Sequence, residues 1–423
     1  MPDGEESRFW KEYHRIQENA RRRDERARQK GRDTKAGPGS VGARVRSDEE
    51  IADFLYVTHE VLVEEDYAPY ATQVISKHAR VRESDTDVPR LKRLVLDKDA
   101  AEVLVKCRDE LDPRRVSPRH VADVSGWAAF CPATEPMPVT GEPWPSVHAS
   151  SGPGQPVVAV IDTGLMPGAA GRFAWLRQVS GETDDEVYLP APGDQEIAPY
   201  GGHGTFVAGI VRCVAGLQAR VFVNDALMGG VADELTFVRE LNEVLHHDPV
   251  PDIVSMSAGL YTWSGEQPLS FRLFFESLSQ EVRDSVVLVA AAGNDGTDTP
   301  FWPAAYDNGD EQAVEAIGVG ALSVGGTARP DWSNHGPWVD VFAPGCELVN
   351  AYPKGKYTDV EGITRDYDRL ASWSGTSFAT PVVTGLIARR MIETGESAKQ
   401  AWWHLFGQAV ADSVPGIGPR LTV

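Results

Sequence analysis

The chain has 423 residues, 42% hydrophobic and 24% charged, with 40 glycines and 29 prolines. That is globular composition at the length of two to three domains, long enough to bury a core without a disulfide framework. A net charge of −21 speaks against the chain as a nucleic-acid binder, because such binding rests on neutralising phosphates with Lys and Arg.

Other classes are disfavoured by pattern. No stretch of about 18 consecutive apolar residues occurs, so no membrane-spanning helix is expected. The opening MPDGEESRFWKEYHRIQENARRRDER holds no apolar core of signal-peptide length, which makes the cytoplasm the expected location. Cys107, Cys131, Cys213 and Cys346 lie far apart without CxxC or Cys/His ligand spacing. They read as free thiols, and no metal site is expected.

In chain order, residues 1–47 form a basic arm, with 13 basic and 8 acidic side chains. Phe9, Trp10, Tyr13 and Ile16 fall at helical spacing, and GRDTKAGPGSVGAR reads as a flexible linker. The arm suits a solvated charged helix, an interaction tail for nucleic acid, docking on the acidic body, or contact with a regulatory partner. Residues 48–131 read as a small α/β domain. VTHEVLVEED, YATQVISKHARVR and RLKRLVLD are expected as strands, DKDAAEVLVKCRDELD as a helix starting near Asp99, and PRHVADVSGWAAF as a last strand. Residues 132–155, crowded with Pro, Gly and Ser, read as an extended linker.

From 156 to 423 the pattern alternates. QPVVAVID, ARVFVND, DIVSMSAG, SVVLVAAAG and AVEAIGVGAL are apolar runs of buried-strand length, and between them lie helical patterns such as DELTFVRELNEVLHH and FRLFFESLSQEVRD. This is α/β architecture, a parallel sheet sandwiched by helices, whose ligands sit beyond the carboxyl ends of the strands.

Chemistry concentrates at those ends. Asp162 closes a strand and can orient a histidine by accepting its ring N–H. His203 sits between glycines ahead of a helical pattern, where a substrate backbone can approach closely. Ser377 leads into a helix with Pro381 near its start, which presents an exposed hydroxyl beside backbone N–H groups able to hold an oxyanion. Asn294, just past a strand end, can donate to the same oxyanion. Each residue alone also has a plain structural reading as a cap or turn residue.

Together DTG at 162–164, GHGTFVAG at 202–209, AAGN at 291–294 and GTSFATP at 375–381 resemble the subtilisin-like serine peptidases, the subtilases. The chain order Asp, His, Asn, Ser is also theirs. SMSAG at 255–259, FWPAAYDN and WSNHGPWVDVFAPG extend the resemblance over about residues 156–415. It implies a serine endopeptidase with a subtilisin-like fold. Ser377 would be the nucleophile, His203 the general base, Asp162 its orienting partner and Asn294 an oxyanion donor. Substrate would bind as an extended strand along Ser257, Ala258 and Gly259, with Ala292 and Gly293 on the opposite wall of a pocket for a medium or large apolar side chain. Met228–Gly230 would form a second edge. No cofactor is required. Several subtilases bind calcium, but acidic GETDDEV at 181–187 lacks recognisable ligand spacing and does not support such a site. Phe206 and Val382 depart from the family's common histidines, YDNGDEQAVEAIG is lengthened, and PKGKYTDVEGITRDYDRLAS inserts a loop before the nucleophile. Many subtilases carry a prodomain, and the domain at 48–131 has its size and position.

Overall fold

The computed structural model describes residues 11, 13–19, 21, 22, 41–45, 52–123, 133–141, 144–189, 195–306 and 314–423. Phe9, Trp10, Cys131, most of the expected linker after the arm, the end of the PRHVADVSGWAAF strand and residues 307–313 of the lengthened segment lie outside them. The chain packs as two units. One holds the described residues of Met1–Asp123 with Val231–Leu241 and Leu260–Leu278; the other holds those of Val124–Gly230, Asn242–Gly259 and Ser279–Val423.

The described residues of the arm from 11 to 22 are helical, and strands β1 (Val41–Val45) and β2 (Ala52–Glu64) and helix α1 (Ala68–Ile75) come after them in the first unit. Strands β3 (Val81–Asp85) and β4 (Leu91–Leu96), helix α2 (Ala100–Cys107) and strand β5 (Val116–Asp123) follow. The first half of YATQVISKHARVR, expected as strand, is α1. Its buried residues Ala68, Ala71, Val74 and Ile75 recur at helical spacing, and Pro69 stands where a helix start tolerates proline. At the start of α2, Asp99 accepts the Glu102 amide at 3.0 Å as a helix cap. In the arm, Ile16 is buried and Tyr13 donates to the Val41 carbonyl at 2.9 Å, so this part is not a solvated helix. Val41–Val45, expected as linker, pairs antiparallel with β2.

Further along come β6 (Met137–Val139), β7 (Val157–Asp162), α3 (Ala169–Arg172), β8 (Ser180–Gly181), α4 (His203–Ala215), β9 (Arg220–Asp225), β10 (Val231–Asp233), α5 (Glu234–Leu245), β11 (Ile253–Met256), α6 (Leu269–Ser277), α7 (Gln280–Ser285) and β12 (Val287–Ala291). They are followed by β13 (Glu315–Leu322), β14 (Val341–Pro344), β15 (Leu348–Ala351), β16 (Gly355–Thr358), β17 (Thr364–Tyr367), β18 (Leu370–Trp373), α8 (Thr376–Thr394) and α9 (Ala398–Ala411). FRLFFESLSQEVRD is thus two helices. Ser279 caps the second by accepting the Val282 amide, which breaks the run.

Strand β10 completes the first unit's sheet by pairing antiparallel with β5, in the order β10-β5-β2-β4-β3 with β1 on β2. Arg119 on β5 is fully buried. It donates to Asp233 at 2.8 Å and to Glu60 at 2.6 Å, so its charge is met by two carboxylates. Beside it, Glu234 accepts the His120 amide at 2.6 Å and faces its Nδ1 at 3.0 Å, while His120 Nε2 accepts the Trp263 amide. An accepting Nε2 fixes the proton on Nδ1, which therefore donates to Glu234.

The second unit is built on a seven-stranded sheet, β14-β13-β12-β11-β7-β9-β8, every pair parallel. β7, β11 and β12 are buried at every position, as strands covered on both faces must be. Parallel registry brings the carboxyl ends of β7 and β12 to one edge, and Asp162 and Asn294 emerge there. Part of the expected linker, β6, pairs antiparallel with β18, and the inserted loop folds as the hairpin β16–β17.

Candidate active site

Three turns converge at this edge. After β7, Asp162 turns the chain, and its Oδ1 accepts the Thr163 amide at 2.8 Å. Helix α4 begins at His203, preceded by Gly202 at φ +82°, a conformation glycine adopts without cost. His203 Nδ1 lies 2.6 Å from Asp162 Oδ1, both side chains wholly buried. Because a carboxylate accepts, Nδ1 carries a proton, and in the neutral ring Nε2 then holds the lone pair. Nε2 has no hydrogen-bond partner among the described residues, nor does Asp162 Oδ2. An accepting ring nitrogen is thereby presented and held in one tautomer.

Ser377 sits in the first turn of α8. The sequence reading expects an exposed hydroxyl, but Ser377 is only 1% exposed. Its Oγ donates to the Ser257 carbonyl at 3.2 Å, and Ser257 Oγ donates to the Ser377 carbonyl at 2.8 Å. Phe378, the next residue, has its ring 5.4 Å from that of His203, which brings the histidine alongside the serine's turn. Trp373 meets His203 edge-on at 5.6 Å. Phe206 packs on Phe378 at 4.7 Å and on Trp373 at 5.7 Å, so this departure from the family pattern builds an aromatic wall behind the imidazole. Val382 is buried in the core.

Asn294 is oriented by Thr376, whose amide and hydroxyl both reach Asn294 Oδ1 at 2.9 Å. The same hydroxyl accepts the Gly293 amide at 3.1 Å. The two walls expected to contact substrate, Ser257–Gly259 and Ala292–Gly293, both adjoin this group. Phe301, which the sequence reading did not single out, is wedged against them. A Cβ on Gly259 would lie 2.4 Å from its ring, and one on Gly293 3.2 Å from it. The only signal in the sequence was its place in FWPAAYDN, a few residues past Asn294.

Of the acidic 181–187 segment, Glu182 accepts Asn224 Nδ2 at 3.2 Å and the Asp225 amide at 2.8 Å. Asp184 accepts the Gly202 amide at 2.9 Å and the Glu186 amide at 3.1 Å. Met228–Gly230, the other expected edge, forms a kinked turn before β10, with Gly229 at φ +64° and Gly230 at φ +79°.

The model of the subtilase family matches residues 154–405. The chain is 28% identical over 291 residues to an intracellular serine protease of Paenibacillus polymyxa, covering 62% of this chain and 76% of that protein. It is 27% identical over 275 residues to the major intracellular serine protease of Bacillus subtilis, covering 61% and 76%. The crystal structure of fervidolysin from Fervidobacterium pennivorans superposes with a TM-score of 0.55 at 18% identity, over 90% of this chain and 61% of fervidolysin. That likeness is one of fold, and its share of the chain is too large to come from residues 154–405 alone.

The chain belongs to the subtilase family. It is a subtilisin-like serine protease, and its substrates are proteins or peptides.

Proposed function

We propose that the protein is a serine endopeptidase in which Ser377 attacks the scissile carbonyl and His203 takes its proton, then returns it to the leaving amine. Asp162 holds the imidazole in the required tautomer and stabilises its charged form, and Asn294 donates to the tetrahedral oxyanion. The observation that carries this reading is the 2.6 Å Asp162–His203 bond, which leaves Nε2 as a buried, partnerless acceptor next to the turn that bears Ser377. Nucleophile, base and oxyanion donors all come from the chain, so the reaction needs no cofactor. Ser257–Gly259 forms the substrate's strand edge, and Phe301 between the two walls narrows the pocket for the side chain before the scissile bond.

The N-terminal region and its linker restrain this activity. Ser377 and His203 are closed off from solvent. Linker residues run antiparallel along β18, Thr134 accepts Trp373 Nε1 at 2.7 Å, and the Ala133 amide reaches the Ser374 carbonyl at 3.0 Å, three positions before the nucleophile. The two relatives named as intracellular support an intracellular location, where such restraint has an evident use.

The test is digestion of a denatured protein by wild type and Ser377→Ala, with the chain's own mass followed in parallel. Wild-type digestion that the variant lacks supports the assignment. Equal digestion by both overturns it. A cut near Ala133 in wild type alone would mark the N-terminal region as removable.

A further inference from the structure

A second carboxyl group lies beside the Asp162–His203 pair, and the chemistry above does not use it. Asp184 is 3% exposed and comes from the loop after β8. Its Oδ2 accepts the amide of Gly202, the residue immediately before His203, at 2.9 Å. Its Oδ1 accepts the Glu186 amide at 3.1 Å, which sets the direction of the carboxyl plane. Its own amide donates to the Leu165 carbonyl at 2.8 Å, and the Leu165 amide donates to Glu182. Leu165 lies in the turn that Asp162 begins. Asp184 therefore ties together the two turns whose residues make the Asp162–His203 bond.

The fit is close. A Cβ on Gly164 would lie 2.8 Å from the Asp184 amide nitrogen, and one on Gly204 2.5 Å from the Gly164 carbonyl. Thr163 Oγ1 accepts the Gly204 amide at 3.0 Å, so the start of α4 is gripped on both sides of His203. At φ +82° Gly202 has wide conformational freedom, and the Asp184 bond holds its amide.

We infer that Asp184 is a positioning residue for His203, fixing the Gly202 amide so that the imidazole enters α4 with Nδ1 on Asp162. The inference rests on the reading of His203 as the base. Burial, with the charges of Glu186 and Asp162 adding to it, raises the Asp184 carboxyl to about 7 against the pull of its two amide donors. In either protonation state one oxygen remains to accept the Gly202 amide.

The test compares Asp184→Ala and Asp184→Asn in the full chain. The alanine variant loses kcat roughly 10- to 100-fold, because a small misplacement of the base is costly. Its KM stays within about twofold, because the substrate edge is untouched. The asparagine variant, which keeps an oxygen for Gly202, recovers most of kcat. Proton NMR gives a readout independent of turnover: the strongly deshielded proton of the His203–Asp162 bond, assigned with Asp162→Asn, persists in Asp184→Asn and broadens or disappears in Asp184→Ala. Wild-type kcat and an unchanged resonance in Asp184→Ala overturn the inference. So does an equal loss in both variants, or a loss carried by KM. If Ser377→Ala remains active, the proposed chemistry fails on its own account, and the resonance still decides the role of Asp184.

Discussion

Thr376 gives both its backbone amide and its hydroxyl to Asn294 Oδ1, each at 2.9 Å. An amide side chain carries its oxygen and nitrogen on opposite branches, so holding the oxygen at α8 turns Nδ2 away from Thr376. The residue before the proposed nucleophile thus aims the proposed oxyanion donor. Asn294→Ala should lower kcat by about 10²–10³ with little change in KM, the loss that removal of the corresponding asparagine brings in subtilisin itself. Thr376→Val keeps the backbone bond and loses the hydroxyl, and its expected cost is about tenfold, near 1.4 kcal/mol. Steady-state kinetics on a peptide ester checks both. An Asn294→Ala variant with wild-type kcat would remove Asn294 from the mechanism.

Phe301 bears on specificity. Its ring is 3% exposed and lies against Gly259 and Gly293, on facing walls beside Ser377 and Asn294. In the proposed binding mode a substrate side chain enters between those walls and meets the ring. Phe301→Ala should shift preference toward larger apolar residues before the scissile bond, by roughly tenfold or more in kcat/KM for Phe over Ala at that position. It should also cost about 3–5 kcal/mol of stability, the usual range for a buried Phe→Ala change. A substrate library with one varied position reads the first effect. An unchanged preference profile would place Phe301 in the core alone.

The contrast between these residues shows what could be read from the chain. Strands β7, β11 and β12 were legible because burial on both faces leaves an unbroken apolar run. Asp162, His203, Asn294 and Ser377 stood out because each lies in a short contiguous motif with glycines where backbone must pass close to backbone. Helix α1 was missed because YATQVI satisfies strand propensity, and only the buried spacing of Ala71, Val74 and Ile75 decides for helix. Asp184 and Phe301 left almost no trace. A carboxylate that accepts a backbone amide needs no particular residue at the other end, and a ring that fills a pocket is defined by walls dozens of residues away. The pairing of β5 with β10, more than a hundred positions apart, is equally silent in sequence.

Asp184 also predicts how stability depends on pH. Its carboxyl titrates near 7 in the folded chain, whereas an unfolded aspartate titrates near 4. Between those values the native state holds more protons than the unfolded state, so stability falls as pH rises. This contribution is fully present below about 4 and is lost as pH passes through about 7. Asp184→Asn removes the titration. Its stability relative to wild type should therefore rise between pH 4.5 and 8, by on the order of a few kcal/mol, since each pH unit between the two titrations is worth about 1.4 kcal/mol. Urea midpoints across that range test it, and parallel curves for the two proteins would show that Asp184 does not titrate there.

Asp233 does two jobs in the first unit. It pairs with the buried Arg119 guanidinium, and it caps α5, with Oδ1 accepting the Leu235 and Thr236 amides at 3.0 Å and Oδ2 the Thr236 hydroxyl at 2.7 Å. Asp233→Ala removes the cap, worth about 1 kcal/mol, and takes one of its two carboxylates from a buried cation, for which a loss of about 3–5 kcal/mol is usual. Asp233→Asn keeps an accepting oxygen for the helix amides and loses the charge and the second accepting oxygen. Arg119→Met removes the cation, and Asp233 keeps its three donors. Stability should therefore fall most in Asp233→Ala, less in Asp233→Asn and least in Arg119→Met. Hydrogen exchange at the β5 and β10 amides locates the loss in this sheet, and equal protection in all three variants would mean that the ion pair contributes nothing to holding the strands together.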